Sequence, residues 1–154
     1  MGKEATPLGN LTRAGDVQTQ AIKITDFIFQ ANDISNAYLV TTDDGDLMVN
    51  TGFMDDANQQ RNLALFKPHR TGPLHHIILT QSHADHFGGV PVFKEAGTKI
   101  VGGPGYNQAC HDMLSLQAYF GPRSKKLWGS TLRRAAAPKP APDVVPDILV
   151  DRTL

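Results

Sequence analysis

The sequence predicts an α/β fold, and three observations carry that prediction. Short apolar runs of strand length alternate with segments of helical period along residues 21–120. The run Asp43-Asp44-Gly45-Asp46 divides two of the apolar runs, and its Asp-Gly step is a hairpin signal because glycine takes positive φ without a steric penalty. In residues 106–120, the side chains Tyr106, Ala109, Cys110, Met113, Leu116, Gln117 and Phe120 recur at i, i+3, i+4, i+7 spacing, with Gln117 as the one polar member.

Taken in order, residues 1–20 are polar and lack an apolar period, so they read as a flexible N-terminal arm. Residues 21–29 alternate and then turn apolar, as expected of one strand that opens the core. Residues 36–42 and 47–50 are the two arms of the hairpin. Residues 55–66 are expected to be a helix, capped by Asp55 or Asp56 and closed by Pro68. Residues 73–80 form a strand, 90–96 a short helix and 98–101 another strand. The amphipathic helix is expected to stop at Gly121-Pro122. Residues 135–146 hold four prolines and read as a connection, after which Ile148-Leu149-Val150 starts a further strand. The organisation is therefore an arm over 1–20, a domain part over 21–134, and a Pro-rich connection with the start of a second half over 135–154.

The chain has 154 residues, enough for one domain with a real core. Fifteen basic residues balance fifteen acidic ones, so no net field favours nucleic acid or an anionic membrane. No apolar stretch approaches the roughly 20 residues needed to span a bilayer, and the first residues lack the apolar region of a secretory signal. Cys110 is the one cysteine, which removes a disulfide framework and a thiolate zinc cluster. A cytoplasmic protein is expected.

The chemistry concentrates in Leu79-Thr80-Gln81-Ser82-His83-Ala84-Asp85-His86-Phe87-Gly88-Gly89. Two imidazoles and a carboxylate fall within four residues directly after a strand, a donor set that suits a divalent cation taking nitrogen and oxygen together. Upstream lies Leu47-Met48-Val49-Asn50-Thr51-Gly52. This pair of motifs resembles the metallo-β-lactamase superfamily, whose signature reads His-x-His-x-Asp-His after a strand and whose earlier strand ends in Asp-Thr-Gly. His83, Asp85 and His86 match residue by residue; Gln81 stands at the first His and Asn50 at the Asp.

The resemblance implies an αββα sandwich to which this chain supplies mainly the N-terminal αβ half. It implies one or two zinc ions held by Gln81, His83, Asp85 and His86, with Asp85 also the catalytic residue that takes or relays a proton of the attacking water. Asn50 and Thr51 would support the metal loop. A third His, a bridging Asp and a last His come from the later part of the fold in the resembled family. The only His after His86 is His111, in the amphipathic helix, and Asp143, Asp147 and Asp151 are followed by no His. A truncated or split chain completed by a second polypeptide, or a half that dimerises, is therefore expected. The implied substrate is a small ester-like molecule, with the wording His-Ala-Asp-His-Phe-Gly-Gly-Val and Lys126-Leu127-Trp128-Gly129 resembling the alkyl-sulfatase branch, and a lactone or β-lactam next. A metal-binding or oligomerising module without turnover is the opposing reading.

Other candidates are weaker. His75 and His76 alternate along a strand, His69 sits in a polar turn expected to face solvent, and Cys110 lies on an apolar stripe. Lys125, Lys126, Arg133 and Arg134 form a basic segment, expected to be solvated or to meet an anionic group. Gly102-Gly103-Pro104-Gly105 lacks the Lys-Ser/Thr of a phosphate-binding loop.

Overall fold

The computed structural model describes residues 15–128 and 141–151. Residues 1–14 of the expected arm, Gly129 of the Lys126-Leu127-Trp128-Gly129 segment, Arg133 and Arg134 of the basic segment, 135–140 of the Pro-rich connection and 152–154 of the expected second half lie outside the described residues. A seven-stranded mixed sheet organises the rest, and its spatial order is the chain order.

The strands are β1 (Ile22–Lys23), β2 (Ile28–Ala31), β3 (Ala37–Thr42), β4 (Gly45–Val49), β5 (Leu74–Ile78), β6 (Lys99–Gly102) and β7 (Ile148–Leu149). The first four pair antiparallel; β4 to β7 pair parallel. The expected single strand over 21–29 is thus a correction. It is a small hairpin, closed by the Ile24 and Thr25 amides bonding to the carbonyl of Ile28. The β3–β4 hairpin turns as expected, with Thr42 opposite Gly45 and Gly45 at φ 129°. A side chain at Gly45 would also strike the His75 ring, 2.3 Å away.

Helix α1 (Asp56–Phe66) follows β4, and the Asp55 side chain caps it by accepting from the amides of Ala57 and Asn58. After β5 come two single turns, α2 (Ala84–Phe87) and α3 (Val90–Phe93). Helix α4 (Tyr106–Ser115) and helix α5 (Gln117–Trp128) follow β6. Here the expected stop at Gly121-Pro122 is also corrected: the break falls at Leu116, and Pro122 lies inside α5.

One face of the sheet is a packed core. Leu39, Met48, Ile77 and Ile100 point into it and meet Leu65 and Phe66 of α1 and Val90 and Phe93 of α3. Each such buried side chain stabilises the fold by roughly 1.5–3 kcal/mol relative to exposure. The opposite face is different. Tyr38, Val49, Ile78 and Val101 form one register row across β3 to β6, and all are half-buried. Helices α4 and α5 are more exposed, with Leu114 74% exposed and Leu127 59% exposed. Of the predicted stripe on 106–120 only Tyr106 is buried.

Candidate metal centre

The motif leaves the C-terminal end of β5 and is held by three separate elements. A loop there is a suitable carrier of reactive groups because rigid strands fix both its ends. Thr51, fully buried after β4, donates its amide to the His86 carbonyl at 2.7 Å. Its hydroxyl donates to the same carbonyl and accepts the Gly89 amide, both at 3.1 Å. From α1, the buried Gln59 side chain donates to the Gly88 carbonyl at 2.7 Å. From the β2–β3 turn, Ser35 Oγ lies 3.0 Å from His86 Nδ1.

Glycines 88 and 89 are required by this packing. A Cβ on Gly88 would sit 2.4 Å from the Met54 amide nitrogen, and one on Gly89 2.3 Å from the Thr51 carbonyl oxygen. Asn50 turns the chain out of β4 with φ 57°, a left-handed conformation that asparagine accepts more readily than most residues. Its Oδ1 accepts both the amide and the hydroxyl of Thr80 at 3.1 Å. The expected supporting roles of Asn50 and Thr51 are therefore visible as hydrogen bonds.

Beneath this lies a second polar knot. Asp33 is buried and accepts from the amides of Ile34 and Phe53 and from the side chains of Asn58 and Asn62. Burial pushes its carboxyl above the ordinary value, against the opposing pull of those donors and of Arg61. Gly52, at φ 82°, passes so close that a Cβ would meet Asp33 Oδ2 at 2.6 Å.

At the surface of the loop, the four motif side chains form a chain of contacts. His83 Nδ1 is 2.8 Å from Gln81 Oε1, Gln81 Nε2 bonds His86 Nε2, and Asp85 Oδ2 is 3.6 Å from His86 Nε2. Burial holds the His86 imidazole below the ordinary histidine value; the Asp85 carboxylate opposes that shift and His83 adds to it. A neutral imidazole is the form that ligates a metal. Imidazole nitrogen, carboxylate oxygen and amide oxygen are donors that zinc accepts, so the set fits that ion in kind. It is not a closed shell, however. Among the described residues no group of three or more His, Cys, Asp and Glu side chains converges on one metal position.

The remaining candidates stay away from this centre. His111 is 74% exposed at its side chain, with its Nδ1 3.7 Å from the carboxylate of its neighbour Asp112. His75 is exposed and bonds the Asp44 carbonyl at 2.6 Å, beside a bulge in β4–β5 pairing. His69 is a partial correction: it is half-buried rather than fully exposed, and its ring stacks on Phe29 with centroids 4.0 Å apart. Cys110 is half-buried against the core, and burial pushes its thiol up, away from a nucleophile's range. Lys125 and Lys126 are exposed. Ser35 and Gln59 were not legible as site residues, since each sits in an unremarkable polar stretch far from the motif in sequence.

Comparison with known proteins agrees with this geometry. A family model described as Metallo-beta-lactamase superfamily matches residues 31–151. The alkyl/aryl-sulfatase BDS1 of Saccharomyces cerevisiae is 37% identical over 81 residues, half of this chain and 12% of that protein. Among solved structures, a double mutant of the sec-alkyl sulfatase PisA1 superposes with a TM-score of 0.71 over 97% of this chain and 28% of its own, at 18% identity. The stereoselective inverting sec-alkylsulfatase Pisa1 from Pseudomonas sp. gives 0.68, over 86% of this chain and 24% of its own, at 18% identity. A metallo-β-lactamase of Cronobacter sakazakii gives 0.60 at 17% identity, over 92% of this chain and 49% of its own. These likenesses in structure are likenesses of fold, and the chain spans well under two thirds of each of these relatives. With the strand–loop–glycine arrangement around His83, Asp85 and His86 and a family match over most of its length, this chain belongs to the metallo-β-lactamase superfamily.

Proposed function

We propose that this chain carries one half of the active site of a zinc-dependent hydrolase acting on an ester-like bond. The observation that carries the reading is the braced loop itself: Gln81, His83, Asp85 and His86 lie together at the end of β5, with Thr51, Asn50, Gln59 and Ser35 fixing their backbone and one ring. One or two zinc ions, when bound, would supply Lewis acidity and an acidified water at neutral pH. Gln81, His83, Asp85 and His86 are the residues that would hold them. Asp85 would in addition accept the proton of the attacking water at a carboxylate oxygen. Gln81 offers an amide oxygen where imidazole would bind more tightly, so the site leans on its other donors.

A sulfate ester is the substrate class we favour, on the sequence likeness to the yeast alkyl/aryl-sulfatase over 81 residues. A lactone or β-lactam comes next, because fold alone does not choose among them. The exposed apolar side chains Leu114, Leu116, Tyr119, Phe120 and Leu127, with the half-buried sheet row of Tyr38, Val49, Ile78 and Val101, support a further polypeptide segment or a second protomer as the cover that completes the fold and the ligand set. Among the described residues no helix is long and apolar enough to cross a membrane. We read the lone thiol as consistent with a cytoplasmic setting.

The open ligand shell favours a second reading, a metal-binding or oligomerising half-domain without turnover. One experiment separates the two: intact mass and zinc content on the same purified sample, followed by hydrolysis assays with secondary alkyl sulfates. Zinc with turnover that Asp85→Asn abolishes supports the hydrolase. Zinc without turnover, or no zinc in an assembled species, supports the half-domain.

A further inference from the structure

The three elements that hold the 81–89 loop are themselves tied together by one buried group. Asp33, with 1% of its side chain exposed, lies two residues before Ser35 in the β2–β3 turn. Its Oδ1 accepts the Ile34 amide at 2.7 Å and the Asn58 side chain at 3.2 Å. Its Oδ2 accepts the Phe53 amide at 3.2 Å and the Asn62 side chain at 3.3 Å. The direction of all four bonds is fixed. Backbone amides only donate. Arg61 also only donates, to the side-chain oxygens of Asn58 at 3.0 Å and Asn62 at 3.3 Å, which leaves both NH2 groups for Asp33.

These donors come from the same segments that grip the loop. Ser35 reaches the His86 ring from the β2–β3 turn. Thr51, two residues before Phe53, bonds the His86 carbonyl and the Gly89 amide. Gln59, next to Asn58 on α1, bonds the Gly88 carbonyl. None of the four bonds of Asp33 goes to Gln81, His83, Asp85 or His86. We propose that Asp33 is a positioning residue for the metal centre: its carboxylate sets the three supports relative to one another, and through them the spacing of the donors on the loop. The role rests on the proposed reading of the loop as a metal site, whereas the bracing itself needs no metal. A carboxylate is what the position requires, because two donors converge on each oxygen. An asparagine there would aim its NH2 at two of those donors, whichever way it turned.

Asp33→Asn and Asp46→Asn, made in the 154-residue chain, test the role as a matched pair. Asp46 is a second fully buried carboxylate, at the other end of β4, bonded to Arg70 and Thr71. Amide hydrogen exchange in the metal-free chains compares the Thr51 and Gly89 amides, which bond across to the loop and from it, with the amides of β3 to β5. Asp33→Asn should speed those two amides by about tenfold or more relative to the strands, while Asp46→Asn should keep the native ratio. Cobalt(II) titration should show binding weakened by about 10–100-fold in Asp33→Asn and close to native in Asp46→Asn. Where Asp33→Asn does not fold, Asn58→Ala removes one of the four donors and should move both readouts the same way by a smaller factor. Loop amides that keep pace with the strands overturn the role, and so does faster loop exchange with undiminished cobalt affinity. A native chain that binds no cobalt sinks the zinc-hydrolase reading, and the exchange ratio alone then decides whether Asp33 braces the loop.

Discussion

The hydroxyl of Thr51 is bonded at both ends to the loop that carries the motif, donating to the carbonyl of His86 and accepting the amide of Gly89. Because Thr51 is fully buried, no water can substitute for either bond. Thr51→Val keeps the shape and removes both. It should lower stability by about 1–3 kcal/mol, seen as a drop of about 2–4 °C in Tm per kcal/mol. An unchanged Tm would show that the loop does not depend on this latch.

Gly89 and Gly97 make a matched pair for the same question. At Gly89 an added methyl would lie 2.3 Å from the Thr51 carbonyl oxygen; at Gly97, with φ 90°, it would meet nothing within 4 Å. Gly97→Ala should therefore cost about 1 kcal/mol, from backbone conformation alone. Gly89→Ala should cost clearly more, about 3 kcal/mol through overpacking, and should disturb the His86 environment in NMR spectra. Equal costs at the two sites would refute the close packing of the motif on β4.

At the far end of the sheet, Arg70 bridges the fully buried Asp46 and the exposed Glu95, the latter at 2.9 Å. Arg70→Ala leaves a buried carboxylate with only Thr71 and backbone donors, and should cost about 3 kcal/mol in chemical denaturation. Glu95 also accepts the Leu74 amide at 2.8 Å. Arg70, then that amide, holds the Glu95 carboxyl below its ordinary value of 4.5. A lowered folded-state value means that its contribution is present above 4.5 and is lost as pH falls through the lower folded value. Glu95→Gln should flatten that part of the stability–pH curve and leave the slope above neutral pH untouched. Its side chain is 41% exposed, so solvent screening keeps the effect small.

Much of this architecture was legible because its signals are local. The turn at Gly45 needs a positive φ, and the cap at Asp55 needs an acceptor one residue before the helix; both are written in single residues. The hairpin at 22–31 was read as one strand because Ile24 and Phe27, at the turn and exposed, kept the apolar pattern running through it. The helix break at Leu116 carries no Gly or Pro, while Pro122, the expected stop, is tolerated inside α5. Tertiary setting overrode local preference in both places. The motif itself was readable from His83, Asp85 and His86. Its supports on other elements were not: Ser35 lies 51 residues from His86 and Gln59 29 from Gly88, and neither stretch has a pattern of its own.

Gln81 supplies the sharpest test of the proposed zinc site. Gln81→His replaces a weak amide donor with an imidazole beside His86 and Asp85. Metal affinity should rise in an equilibrium competition assay, and Asp85→Ala or His86→Ala should abolish binding in the same assay. Affinity unaffected by all three substitutions would mean that metal, if bound, sits elsewhere.

The order of the sheet has a consequence for how the chain folds. Every strand lies beside the one made just before it, so each can dock on an edge that already exists as the polypeptide leaves the ribosome. Most of these steps close short loops; the last does not, because Val101 must find Ile148 across the two long helices and the Pro-rich connection. Loop-closure cost therefore predicts nucleation in the β2–β3–β4 meander and a late addition of β7. Until β7 docks, the edge of β6 would be where the chain is most exposed to pairing with the wrong partner.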